Sequence, residues 1–373
     1  MTHPTDAGFR GTEVLRALPA QLIEIPDGVV LKRGASEIRI AGEGARETVR
    51  ILYGLTAEGA TRDEVREAFA VPAWPGVAEL IEQLSSRRFL VAGNGSSQPQ
   101  PTVEDNADVF YWQFGTTAVD VADRLTALSI AVLGVNFISR RLASALADAG
   151  AGNVEVVNYP LLCNLRFLNE DGSLSPDQWP RDVALPVDYA QWTADADRLA
   201  ADILIATSDF GGRDLMRQWN RFAVERGIHF LPVVLENLIG HVGPLVIPGE
   251  VPCYECLRAR ENSHMTDPEL TRVSESRAVE GQRIAAFHPS MASILGDIAA
   301  VEMARVYGQW SPSGVAGRLL EVNLLTGSMT PRRLLKLPRC AVCGTDDRRA
   351  SAATTKVAFR EGLTLYEGHH RGD

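Results

Sequence analysis

Four of the five cysteines fall in two C-x-x-C pairs: Cys253 with Cys256 in GEVPCYECLRAR, and Cys340 with Cys343 in PRCAVCGTD. One such pair alone leaves a redox couple, half of a metal site and chance open. Two pairs fit one four-thiolate zinc site, each pair wrapping half of a tetrahedron. Four thiolates leave no open position, so the implied Zn2+ is structural rather than catalytic. The plain alternative is four unrelated buried cysteines. The 83 residues between Cys256 and Cys340 exclude a local finger. A metal there would pin the C-terminal region to a point far upstream. Gly344 follows the second pair and suits a tight turn. Cys163 stands outside the pairs and is expected to be a packing residue.

A second set of candidate residues could hold a nucleotide. The run SIAVLGVNFISRRLASALADAGAGNVEVVNYP reads as a buried strand, a glycine turn, a helix from about Ser139 to Ala149 and another strand. That is the βαβ opening of a doubly wound, mainly parallel sheet. A glycine-rich turn of this kind can hold a phosphate on the helix N-terminus. Of the G-x-G-x-x-G pattern only Gly134 is present, and Asn136 would crowd a phosphate at the second glycine position. The acid that usually holds ribose hydroxyls after the next strand is replaced by Asn158. These departures favour a packed turn without a ligand, and they leave a dinucleotide oxidoreductase poorly supported.

The elements that must position these residues follow from the pattern. Residues 1 to 92 read as a separate small domain. QLIEI, VVLKR and EIRIA are short strands, and three helical segments follow. Thr61 and Glu64 form a capping box before the second helix. Val77, Leu80, Ile81 and Leu84 make one stripe on the third. This order suggests a winged helix-turn-helix. DNA binding is disfavoured, because residues 1 to 92 hold 11 Lys and Arg against 13 Asp and Glu. A peptide site is better supported: an open strand edge beside an apolar helix accepts an added strand. Its candidate residues are Glu37, Ile38, Arg39 and Ile40 on the edge and Val77, Ile81 and Leu84 on the helix, with Arg39 and Arg88 free to pair with acids.

Residues 93 to 108 are rich in Gly, Ser, Pro and acids and read as a linker. The larger domain spans 109 to 347, and a polar tail covers 348 to 373. Within the larger domain ADILIATSDF and IHFLPVVLENLIGHVG supply further strands, and RARENSHMTDPELTRVSESRAVEGQRIAAFH reads as a polar, irregular loop with short helices. PSMASILGDIAAVEMARVYGQW is a helix expected to turn Ile294, Ile298, Val301 and Val306 inward, and GRLLEVNLLTGSMTPRRLLKL is a hairpin. A net charge of −10 argues against nucleic acid. No apolar run approaches the roughly 18 residues of a membrane span. The N-terminus lacks a secretory pattern, which points to the cytoplasm and to reduced thiols.

The larger domain resembles the ThiF/MoeB family, bacterial relatives of ubiquitin-activating enzymes. The resemblance rests on the turn at Gly134, NLR at Asn164 to Arg166, ATSDF at Ala206 to Phe210, and PCYECL at Pro252 to Leu257 with Cys340 and Cys343. It implies a structural zinc on the four cysteines and, in adenylating members, an ATP site. Gly134, Asn136, Arg166 and Asp209 would be its remnants. Asn158 in place of the acid, Phe210 after Asp209 and no lysine between Arg166 and Asp209 make that ATP site read as degenerate. The small domain resembles PqqD-like leader-recognition elements. The combination is similar to the partner protein of YcaO azoline-forming cyclodehydratases, so the expected partners are a precursor-peptide leader, a separate YcaO enzyme and a second copy of the chain. An enzyme that itself adenylates a peptide carboxylate is the alternative.

Overall fold

The computed structural model describes residues 14–93, 106–171, 173–196, 198–267, 269–270, 273, 275, 285–310 and 316–344. Its contacts divide the chain into two units, one ending at Ala118 and one beginning at Val119. Most of the expected linker and the whole expected tail lie outside the described residues. The last residues assigned to the linker instead begin a helix of the first unit.

The small unit contains strands β1 (Val14–Ala17), β2 (Gln21–Ile25), β3 (Gly28–Arg33) and β4 (Ser36–Ala41), and helix α1 (Ala45–Thr56). Next come β5 (Ala60–Thr61), α2 (Arg62–Glu67), α3 (Trp74–Ser86), β6 (Leu90–Gly93) and α4 (Asn106–Trp112). β2, β3 and β4 form an antiparallel sheet in that order, matching the three runs read from sequence. The sheet β5-β1-β6 was not foreseen, because its strands are two to four residues long and pair across the unit. The Thr61–Glu64 capping box is present, with both reciprocal bonds made. Leu31, Val49, Leu52, Ile81, Leu84 and Phe89 meet in the unit's core.

The large unit begins with α5 (Ala118–Thr126), β7 (Ile130–Leu133), α6 (Phe137–Asp148), β8 (Val154–Asn158), β9 (Val187–Asp188) and α7 (Tyr189–Ala194). It continues with β10 (Ile203–Ser208), α8 (Arg213–Arg226), β11 (His229–Glu236), β12 (Ile239–Val242) and α9 (Tyr254–His264). It closes with α10 (Pro289–Tyr307), β13 (Arg318–Asn323) and β14 (Ser328–Arg333). The eight strands run in the order β14-β13-β12-β11-β10-β7-β8-β9. The five from β11 to β9 are parallel and the rest antiparallel. Every residue of β7 and β10 is buried, as a parallel sheet covered on both faces requires. α7, α8 and α9 pack on one face. α6 and α10 pack together and against the sheet.

α10 corrects the expected stripe. Ile294 and Val301 face out, and Ala292, Leu295, Gly296, Ala299, Ala300, Met303 and Ala304 face in. Small residues win that face because the helix runs close to α6. A Cβ on Gly296 would lie 2.9 Å from the backbone oxygen of Ile138 and 2.9 Å from the nitrogen of Leu142. Leu295 in turn fills the space left by Gly240 of β12. The segment RARENSH, expected in an irregular loop with short helices, is helical and continues α9. Gly296→Ala should therefore destabilise by about 1–3 kcal/mol through overpacking. Ile294→Ala should stay within about 0.5 kcal/mol, as exposed substitutions usually do. Urea unfolding of both variants measures the contrast.

Candidate functional site

Cys253 sits at the N-cap of α9 and Cys256 in its first turn. Cys340 and Cys343 bracket a tight turn after β14, closed by the Gly344 N–H donating to the Cys340 carbonyl at 2.9 Å. A Cβ on Gly344 would come within 2.4 Å of that carbonyl, so the turn requires glycine. The four sulfurs lie within 4.8 Å of one another and all four residues are buried. Cys253 to Cys256 is 4.0 Å, Cys253 to Cys340 is 3.6 Å and Cys256 to Cys343 is 3.4 Å. A tetrahedral zinc with bonds near 2.3 Å sets its sulfurs about 3.8 Å apart. The Leu337 N–H also points at the Cys256 sulfur (3.5 Å), which supports a thiolate there. The donor set and spacing therefore fit a metal such as zinc. Cys163 is buried away from this cluster and donates to Asn158 Oδ1 at 2.7 Å.

A buried ion network adjoins the cluster and was not legible in sequence. Arg213, the first residue of α8, meets both Glu261 oxygens of α9 at 2.6 and 2.5 Å. Arg258 of α9 bonds Glu261 at 2.9 Å and Glu275 at 2.6 Å. Burial pushes the Glu275 carboxyl up, and Arg258 draws it back toward ionisation. Within α9 only the three-residue spacing of Arg258 and Glu261 hinted at this.

The crevice where the strand order reverses lies between the loops after β7 and β10, the usual ligand position of such sheets. Here Asn136 fills it. Its Oδ1 accepts the N–H groups of Ile138 (3.1 Å) and Ser139 (3.0 Å), which starts α6 at Phe137, two residues earlier than expected. Its Nδ2 donates to the carbonyl of Leu162 (3.1 Å) and to Thr207 O and Oγ1 (both 3.0 Å). Asp209, fully buried, accepts from Phe137 N (3.1 Å) and from Asn164 Nδ2 (3.0 Å). The Arg140 N–H takes the Asn136 carbonyl at 3.0 Å. The first four N–H groups of α6 thus all have protein acceptors, and none is left over for a phosphate. Gly134 has a φ of 99°, and a Cβ there would approach Thr207 O to 2.8 Å. Arg166 is exposed, while Asn164 beside it bridges to Asp209. A nucleotide phosphate does not fit this arrangement.

On the small unit, the Gly42 N–H bonds Asp27 O at 3.0 Å and fixes the ladder phase between β3 and β4. Alternation then turns the backbone N–H and C=O of Glu37, Arg39 and Ala41 away from β3. Ile38 is buried and Ile40 half-buried on the core side. Val77, Ile81 and Leu84 are at most 3 % exposed and belong to the core, so they do not wall a groove. Arg88 is structural. It ends α3 with a φ of 58°, and the Phe89 N–H reaches back to Leu84 O at 2.8 Å in a Schellman motif. The buried Arg33 bonds its carbonyl (2.8 Å) and lies over the Phe89 and Trp112 rings. Arg39 pairs with Asp27 at 2.6 Å.

No protein-family model matches this chain, and no curated protein matches it. Solved structures do. The crystal structure of E. coli MccB aligns with a TM-score of 0.65 at 16% identity, over 91% of this chain and 99% of that one. The fold is shared with MccB. The microcin C7 biosynthetic enzyme MccB in complex with N-formylated MccA aligns equally well, at 0.65 and 16%, over 89% of this chain and 100% of that one. The heterocyclase TruD aligns at 0.58 and 21% identity, over 89% of this chain but only 43% of TruD. Among the described residues, no helix is long and apolar enough to cross a membrane.

Two outcomes are expected. Purified protein should carry about one zinc per chain, and Cys340→Ser should lose metal and stability together, since structural zinc binding is part of folding. Cys163→Ala should leave the metal content unchanged. Asn136→Ala should cost about 2–4 kcal/mol, combining a lost helix cap with buried carbonyls left unpaired. Thermal melts with parallel metal analysis read both.

Proposed function

We propose that the small unit captures the leader of a ribosomally made precursor peptide. The large unit would present that peptide to a separate YcaO-type enzyme for ATP-dependent cyclodehydration of Cys, Ser or Thr to azolines. The observation that carries this reading is the β4 edge, whose outward backbone groups at Glu37, Arg39 and Ala41 suit an added strand. The opposite case is the β14 edge of the large sheet. There the Leu334 N–H to Gly317 O bond sets the ladder phase and turns Pro331 outward. With no N–H, Pro331 blunts strand pairing.

The other supports concern catalysis. The phosphate position at α6 is taken by Asn136 and Asp209, which favours a chain that does not itself use ATP. The alignment spans less than half of the heterocyclase TruD. In this reading a separate protein supplies the chemistry, and this chain contributes proximity. Zinc on Cys253, Cys256, Cys340 and Cys343 would be purely structural.

A second reading has one specific support. The fold extends over 99% of MccB, which is also solved with ATP. This reading makes the chain an adenylating enzyme. It predicts a rise in melting temperature with ATP that is lost in Arg166→Ala. The scaffold reading predicts no rise.

Leader capture is tested with the full chain and the fluorescently labelled precursor peptide encoded beside its gene. Arg39→Pro removes an outward N–H and no ladder bond, so the melt should hold while binding weakens by at least about tenfold. Ile38→Pro removes an N–H that bonds β3 and should instead unfold the unit. Unchanged binding in a folded Arg39→Pro chain would remove strand addition from the account.

A further inference from the structure

The β4 edge is not bare. Arg87, the C-cap residue of α3, extends its side chain across it, and Nη1 donates to the Glu37 carbonyl at 2.9 Å. That carbonyl is one of the acceptors an incoming strand would need. The Arg39 and Ala41 positions beyond it show no such backbone cap among the described residues. Arg87 is itself exposed, and its guanidinium is held at this edge by the bond to Glu37. Its neighbour Arg88 is committed to the helix end and Arg39 to Asp27. Of the three cations around the edge, Arg87 is the one whose present partner strand addition would remove.

We propose that Arg87 is a gate on this edge: it holds the Glu37 carbonyl in the free protein and yields it only to a peptide strand bearing a carboxylate that takes over the guanidinium. This rests on the leader-capture reading and specifies the class of peptide. An added strand would bring an N–H to the Glu37 carbonyl, and the displaced guanidinium would lose its hydrogen bond. A carboxylate on the incoming strand restores it as a charge-assisted bond, stronger than the one given up. A neutral strand offers no such replacement and must bear the loss. A long cation laid over a proline-less edge would also guard it against pairing with other edges.

The test uses the full chain and two labelled peptides, the precursor leader encoded beside the gene and the same leader with every Asp and Glu changed to Asn and Gln. The wild type should prefer the acidic peptide by about three- to tenfold, the worth of one hydrogen bond. Arg87→Ala should erase the preference and bind the neutral peptide more tightly than the wild type does. Arg87→Lys should keep part of the preference, and both variants should melt as the wild type does. An Arg87→Ala chain that weakens for both peptides alike, or keeps the preference, overturns the gate. If the wild type binds neither peptide, leader capture falls. The gate is then judged by sedimentation, where Arg87→Ala should self-associate and Arg87→Ala with Arg39→Pro should not. A monomeric Arg87→Ala chain would overturn it.

Discussion

The carboxyl end of the large sheet depends on how the first turn of α6 finds acceptors for its N–H groups. A helix start buried where the strand order reverses has no water to satisfy it, so it needs a ligand or side chains. Here the side chains are Asn136 and Asp209, and each does a second task. Asn136 ties the β7 loop to Leu162 and to Thr207 of β10. Asp209 ties the end of β10 to Asn164. The same few bonds cap the helix, join three loops and close the crevice. Opening it for a phosphate would mean undoing all three at once.

The opposite flank is organised around four sulfurs. α9 begins at Cys253, and its later turns carry Arg258 and Glu261, which hold Arg213 at the start of α8. A metal on the cysteines would therefore fix more than the chain's end, because α9 transmits its position to α8 and so to the loop that carries Asp209. Rigidity of this kind suits a protein that positions a peptide, where the benefit lies in orientation rather than in a reacting group.

Much of this was legible before the structure, for identifiable reasons. Four cysteines in two pairs have few arrangements, and the strands β2 to β4 have clean turns between them. The crevice was half legible. Asn136 was read as an obstacle to phosphate, but its role as a cap and clasp depends on Leu162 and Thr207, which only the fold brings near. The face of α10 was misread because Ile and Val outrank Ala and Gly in hydrophobicity. At a close helix crossing, size decides instead, as Gly296 shows. Stretches such as RARENSH hide a helix because their polar residues are satisfied by distant partners. The stripe on α3 was visible, yet no pattern says whether an apolar stripe faces its own core or a guest. Val77, Ile81 and Leu84 face the core.

Capture and chemistry are thus separate in this reading: the β4 edge of the small unit would take a peptide, and the large unit's α6 N-terminus has no N–H left over for a phosphate. The most direct measurement is mass spectrometry of the precursor peptide after incubation with ATP. It is run with this chain alone, with the YcaO-type protein encoded nearby alone, and with both. The account predicts loss of one water per ring efficiently only when both proteins are present, and an unmodified peptide with this chain alone. An adenylated or cyclised peptide formed by this chain and ATP without the second protein would contradict it.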